Sequence, residues 1–331
     1  MRNPKACALL MAALAGCGST GDAGGGAAHL PVSGAGPFSP LAPDPSLPIT
    51  APFVLTDPLA DFDDPTVVAD GELLAIWVTA RRSGGRVEIE HSDAYALTEG
   101  FLEPALAFFA DQVWEGGEVY GPSVVRDEPW ILFYGGGGSI GWALFTTQNY
   151  MHVYAKAPGP ALRPNVREEG NALGAPAAVR ITDGGSDRLR VYYPANGMIW
   201  AAEASYADVH AGLETTWTRL DGDPSTPERD PMLRGAPYAL SIERVFARAA
   251  RTPAGRLRHD LYFTARTGPD TTTIGFASSF TGDEFQVAPM PILPAKQLAR
   301  APAETPYGDG AVLFYVQRSG GKDAIAAARS P

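Results

Sequence analysis

Cysteine is nearly missing from this chain, with two in 331 residues, Cys7 and Cys17. So few thiols cannot build a disulfide framework or a cysteine metal site. Histidine is also scarce, and His29, His91, His152, His210 and His259 show no metal-ligand spacing. The body of the chain has no run of about 18 apolar residues, which excludes a polytopic membrane protein. Positive charge is in deficit: 26 basic against 37 acidic residues give a net charge of -11, unsuited to a nucleic-acid surface. Helical periodicity is poor throughout, apart from a turn or two expected over Ser205 to Leu213. What is present is a 45% hydrophobic fraction, enough for a core, and an excess of turn formers, 37 glycines and 30 prolines.

The first residues read as an export signal. Arg2 and Lys5 supply a positive start, and Ala6 to Ala15 is an apolar stretch too short to span a bilayer. Leu14-Ala15-Gly16-Cys17 follows, and it resembles the lipobox of bacterial lipoproteins. The resemblance implies cleavage before Cys17 and a lipid on its thiol, so the expected segments are a signal at 1–16 and a lipidated cysteine with a tether at 17–50. Cys7 would be lost, and losing Arg2 and Lys5 takes the charge from -11 to -13. Gly18, where inner-membrane lipoproteins of enteric type carry Asp, points to the outer membrane of the cell envelope. From Gly18 to Thr50 there are 7 Gly and 6 Pro in 33 residues, a composition that cannot repay its ordering entropy by burial and suits a flexible tether.

From residue 51 to 331 the chain repeats. Each unit opens on a proline followed by a β-prone run: Asp64-Pro65-Thr66-Val67-Val68, Gly121-Pro122-Ser123-Val124-Val125, Ala175-Pro176-Ala177-Ala178-Val179, Ala236-Pro237-Tyr238-Ala239-Leu240 and Ala301-Pro302-Ala303-Glu304. Those prolines are 57, 54, 61 and 65 residues apart. A second run follows in each unit at Leu74 to Val78, Ile131 to Tyr134, Leu189 to Tyr193, Leu261 to Phe263 and Val312 to Val316. The third run repeats most closely, as in Ile140-Gly141-Trp142-Ala143, Ile199-Trp200-Ala201-Ala202, Ile274-Gly275-Phe276-Ala277 and Ile325-Ala326-Ala327-Ala328, with Val87 to His91 the divergent copy. Fourth elements are expected around Gln112-Val113-Trp114, Thr216-Trp217-Thr218 and Phe285-Gln286-Val287. Short strands repeated five times predict an all-β, five-bladed β-propeller of four-stranded antiparallel blades. The last unit lacks a fourth strand, and Phe53-Val54-Leu55 is expected to supply it and close the ring.

This ordered repetition resembles the five-bladed propellers of the arabinanase, levansucrase and invertase superfamily, which holds the family 43 and family 32 glycosidases. The resemblance implies a sugar site at the centre of one face. Inverting members use a carboxylate base from blade one, an acid from blade three and a tuning Asp from blade two. An acid must protonate the leaving oxygen while a carboxylate activates water on the opposite side, about 6.5 to 9.5 Å away. Asp64 stands at the position of the base, but Gly121 replaces the tuning Asp, and Gly174-Ala175 stands where the acid Glu belongs. One Asp cannot be both acid and base in one displacement, so the family's usual hydrolysis is expected to be lost. Asp61, Asp63, Glu118, Glu243 and Glu304 are the substitute carboxylates close to anchor runs.

Other candidates divide between binding and structure. Tyr120, two residues before Pro122, either stacks on a sugar or packs between blades. The acidic triplet Asp61, Asp63 and Asp64 is a sugar-hydroxyl acceptor, a cation site or a solvated rim. Arg229-Asp230-Pro231 looks like the Arg-Asp-Pro motif of invertases, but it falls before the fourth anchor, and Pro231-Met232-Leu233 reads as a link between blades. Gly135 to Gly138 lacks the Lys-Ser/Thr of a phosphate loop and reads as a tight turn. His91 and His259 are poor candidates for an axial cation, and no metal or cofactor is expected. The leading expectation is an exported, monomeric lipoprotein that binds an oligo- or polysaccharide or another exported partner, touching the membrane through its lipid only. The alternatives are an active glycoside hydrolase with Asp64 as base and Glu118 or Glu243 as acid, and a scaffold that binds no sugar.

Overall fold

Five sheets account for the repeats. A computed structural model describes residues 39–40, 53–70, 73–95, 97, 100–146, 153–293, 298–307, 310–319 and 321–329. The expected signal, Cys17 and most of the expected tether lie outside these residues. Blade one comprises Ala60–Asp70, Leu73–Arg82, Val87–Ala94 and Ala105–Phe108, and blade two Tyr120–Val125, Trp130–Gly136, Ser139–Phe145 and Val153–Lys156. Blade three runs through Ala177–Asp183, Ser186–Ala195, Met198–Ser205 and Thr218–Arg219. Blade four runs through Ser241–Arg251, Leu257–Gly268, Thr271–Ser279 and Gln286–Val287. Every pairing within them is antiparallel.

Blade five has Ala299–Tyr307, Gly310–Ser319 and Lys322–Arg329, and its fourth strand is Phe53–Leu55, with Phe53 opposite Ala326. Ring closure by the N-terminal strand is therefore as the sequence predicts. Ser39–Pro40, within the stretch expected to be tether, also pairs with Ala328 and Arg329.

Middle strands such as Trp130–Gly136 and Ser139–Phe145 are buried along their whole length, because both faces of a blade are covered by its neighbours. The core accordingly falls into five clusters, one between each pair of adjacent blades and one joining blade five to blade one. Trp77, Trp130, Tyr134 and Phe145 fill the gap between blades one and two, where truncating Trp77 to Ala would cost about 3–5 kcal/mol.

The first strands of the blades touch in cyclic order and form the axis. Four of them carry a bulge, after Asp63, Tyr120, Ile242 and Arg300. Bulges re-aim side chains near sites, and in three of these the inserted pair ends in proline, which has no N–H to orphan where the ladder breaks. The residue before that proline is left-handed: Asp64 at φ 45°, Gly121 at 61° and Ala301 at 49°. Blades are also tied at this level by hydroxyls, since Thr79 accepts the Gly121 amide at 2.8 Å and Thr264 accepts the Ala301 amide at 2.7 Å.

Two expected elements are displaced. Val113–Glu115 is a 3₁₀ turn ending on left-handed Gly116, so blade one takes its fourth strand earlier, at Ala105–Phe108. Ala236 to Leu240 forms a turn, and the first strand of blade four starts at Ser241, with Glu243 at the bulge. The expected helical turn forms as Tyr206–His210, where the Ser205 hydroxyl accepts the Asp208 amide. A second short helix, Val166–Glu169, had no sequence signal strong enough to predict it.

Candidate functional site

Two cavities meet at the axis. A narrow one of about 20 Å³ is lined by the first strands of all five blades, including Asp64, Gly121, Ala175, Arg244 and Ala301. A wider one of about 900 Å³ opens where the first strands of blades four and five begin, beside the hairpins of blades three and four. Gly174, Asn196, Glu243, Arg244, Thr264, Arg266, Arg300 and Arg318 are among its lining residues. Arg244 lines both cavities, whereas Asp64 lines only the narrow one.

Asp64 is buried below Arg244. Its Oδ1 accepts from Arg244 Nε at 2.6 Å and its Oδ2 from the Thr79 hydroxyl at 3.3 Å. Asp64, and then burial working the other way and Asp63, leave the Arg244 guanidinium protonated above its ordinary range. Asp63 Oδ1 accepts the Asp64 amide at 3.0 Å and lies 3.5 Å from Arg300 Nε. Burial, then the Asp64 carboxylate, push the Asp63 carboxyl up against the pull of Arg244 and Arg300.

The positions that lack their carboxylates are also closed. A Cβ on Gly121 would lie 2.4 Å from Ala175 Cβ and 2.8 Å from Ala175 Cα, in a backbone conformation that already resists side chains. A Cβ on Gly174 would lie 2.6 Å from Pro194 Cγ and 3.1 Å from its carbonyl oxygen. Neither an Asp nor a Glu fits there without moving the neighbouring blade or hairpin.

The remaining sequence candidates scatter. Glu243 is half-buried, lines the wide cavity and pairs with Arg266. Asp61 accepts the Asp323 amide at 2.9 Å and faces Lys322 at 3.7 Å, a tie between blades one and five. Glu304 is buried against Arg248 at 2.6 Å, beside Asp260. Glu118 lies close enough to Tyr120 to raise its hydroxyl, after burial, and neither residue lines either cavity. Tyr120 donates to the Leu173 carbonyl at 3.3 Å and lays its ring over Gly135, so of its two expected roles the geometry favours packing between blades.

Arg229-Asp230-Pro231 is indeed a link: Arg229 lies over Trp200 and binds Glu168 and Glu169, while the following Leu233 bridges to Ile199. Gly137 and Gly138 form the predicted tight turn, at φ 53° and 73°. His91 is buried against Trp77, and His259 against Tyr192, where burial and then Arg190 push it down to about 4. His29, His152 and Cys17 lie outside the described residues. Among the described residues no group of three or more His, Asp or Glu is arranged to hold a metal ion, and no helix is long and apolar enough to cross a membrane.

Sequence reasoning missed the four arginines of the wide cavity. Only Arg244 left a trace, since blade four alone places a charged pair, Glu243-Arg244, at its bulge, where the other bulges carry proline.

No family model matches the chain, and no curated protein matches it in sequence. Solved structures do match in fold. An α-L-arabinofuranosidase from Podospora anserina, in complex with cellotriose, superposes with a TM-score of 0.62 at 13% identity, over 85% of this chain and 95% of that one. A structure from family 130, mannoside phosphorylases that include glycoside hydrolases targeting β-1,2-mannosidic linkages in Candida mannan, gives 0.62 at 14% identity, over 91% and 98%. Another glycoside hydrolase gives 0.61 at 17% identity, over 89% and 91%. With blades, closure and axis already established, the chain has the five-bladed β-propeller fold that these glycoside hydrolases share.

Proposed function

We propose that this protein binds a glycan in the wide cavity and does not hydrolyse it by the mechanism of inverting propeller glycosidases. The observation that carries the reading is Arg244, which pairs with buried Asp64 at 2.6 Å and lines the wide cavity, while Asp64 does not line it. A general base must reach a water beside the substrate, and a covered, ion-paired carboxylate does not. The closed positions at Gly121 and Gly174 support the same reading, because a tuning Asp has no room at the first and an acid Glu none at the second. A cavity of about 900 Å³ lies within the ~300–1,000 Å³ usual for ligand sites. The lipobox-like Leu14-Ala15-Gly16-Cys17 extends the proposal to an exported lipoprotein of the cell envelope, checked by fatty-acid labelling that Cys17→Ser should abolish.

The second reading, hydrolysis with a relocated acid, draws on Glu243, a carboxylate that does line the cavity. Incubation of the purified protein with arabinan, xylan and fructan separates the two. Binding without release of reducing sugar is expected. Release that disappears in Asp64→Asn would establish the enzyme instead, and absence of binding to any glycan on an array would leave only the scaffold reading.

A further inference from the structure

The charges of the wide cavity are layered. Asp63 and Asp64 lie beneath, with side chains 10% and 5% exposed, while Arg266 and Arg318 stand at the opening with side chains 41% and 65% exposed. Arg244 and Arg300 fill the level between and face the cavity as well. Carboxylates thus neutralise the arginines from behind, and a ligand meets guanidinium groups. Glu243 and Asp270 also line the cavity, but Glu243 is held by Arg266 and Asp270 sits exposed on a hairpin. Four arginines against two carboxylates on one lining is a local reversal in a chain whose net charge is -11.

Arg318 is the least satisfied of the four. Its carboxylate neighbour is Asp323, whose Oδ1 lies 3.7 Å from Arg318 Nε, beyond hydrogen-bond distance, while Oδ2 receives Arg300 NH2 at 2.8 Å. Arg266 bonds Glu243 through Nε and the Pro269 carbonyl through NH1 at 2.7 Å, which leaves NH2 for another acceptor. A guanidinium fork matches the paired oxygens of a carboxylate or sulfate, giving two parallel charge-assisted bonds with a geometric fit that a single hydroxyl does not offer.

Resting on the glycan-binding reading, we infer that the wide cavity selects an acidic sugar, one bearing a carboxylate or sulfate group that Arg318 and Arg266 receive. The neutral part of the sugar lies along Gly174 and Asn196, whose small and polar surfaces admit a hydroxylated ring. Binding is then steered by charge and weakens as salt rises.

Titration calorimetry on the full chain tests this with four probes: trigalacturonate, a chondroitin sulfate tetrasaccharide, arabinotriose and inorganic sulfate. At least one acidic oligosaccharide is expected to bind about tenfold or more tighter than arabinotriose, with the trigalacturonate and chondroitin sulfate arms telling carboxylate from sulfate. Arg318→Gln, at an exposed position, should remove most of that preference, lowering the affinity for the acidic sugar far more than that for arabinotriose. Equal binding of acidic and neutral sugars, with Arg318→Gln silent, would overturn the acidic specificity while glycan binding survives. Inorganic sulfate binding as tightly as the oligosaccharides would reduce the site to a simple anion pocket and also overturn it. Loss of all sugar binding would remove the underlying reading as well.

Discussion

Two kinds of acid–cation cluster coexist in this propeller. In blades two and three a buried glutamate ends the short helical turn before the first strand, Glu115 and Glu169, and both side chains have no exposed surface. Glu115 accepts from the Tyr134 hydroxyl and from the Asp111 and Gln112 amides, and pairs with Lys156 of the fourth strand. Glu169 accepts from the Tyr193 hydroxyl, the Asn165 amide and Arg219 of the fourth strand, with Arg229 added at 2.6 Å. The wiring is the same in both blades, and it ties the entry of the first strand to the outer edge of the sheet. At the wide cavity the same residue types are arranged in layers, with the acids covered and the cations facing outward. Closure makes the first kind structural, and openness makes the second available to a ligand.

Substitution of the closed cluster should give the largest effect. Burial works against the Glu169 carboxylate, yet bonds from Arg219, the Asn165 amide and Arg229 hold its carboxyl below the ordinary range. Glu169→Gln would leave two arginines without their shared acid, at a cost of about 3–5 kcal/mol in denaturant unfolding. The glycan affinity of the protein that remains folded is expected to be unchanged. A loss of affinity without a loss of stability would break the distinction between the two clusters.

Repair of the missing carboxylates comes next in size. Gly121→Asp forces a Cβ into Ala175 and a side chain into a left-handed backbone, so it should destabilise by about 1–3 kcal/mol. Sugar release should stay absent even in Gly121→Asp with Gly174→Glu, because Arg244 still covers Asp64. Activity gained by the pair would mean that the site lost only its acids and kept its geometry.

Much of this fold is legible in sequence because a blade buries both faces, so its middle strands appear as unbroken apolar runs at a regular period. Ile140 to Ala143, Ile199 to Ala202 and Ile274 to Ala277 all fall within third strands. First and fourth strands are less legible. The fourth are two to four residues long in blades one to four, and a segment such as Gln112 to Trp114 carries the same aromatic signal while turning. The site was legible only in outline. Asp64 is marked by the proline after it, but its partner Arg244 comes from 180 residues away, a pairing that no local pattern encodes. Tyr120 stands out in sequence by its place beside Pro122, while its ring lies over Gly135 across the sheet, which no local pattern encodes.

The smallest expected effect bears most directly on the comparison, since it concerns an acid whose environment disfavours its charge. Asp63 has its carboxyl pushed up by burial and by Asp64, the reverse of Glu169. A raised folded pKa means that the contribution of Asp63 is fully favourable below its unfolded value, near 3.8, and is lost as pH rises through the folded value. For Glu169 the sign is opposite: its contribution is present above about 4.5 and is lost as pH falls. Asp63→Asn keeps an oxygen for the Asp64 amide and removes the unfavourable charge, so at neutral pH it should be neutral or mildly stabilising, with the gain fading in acid. Unfolding curves at neutral and acidic pH measure both signs on one protein. If Asp63→Asn instead destabilised as strongly as Glu169→Gln at neutral pH, the acids beneath the cavity would be as structural as those in blades two and three, and the cavity would not be the open member of the pair.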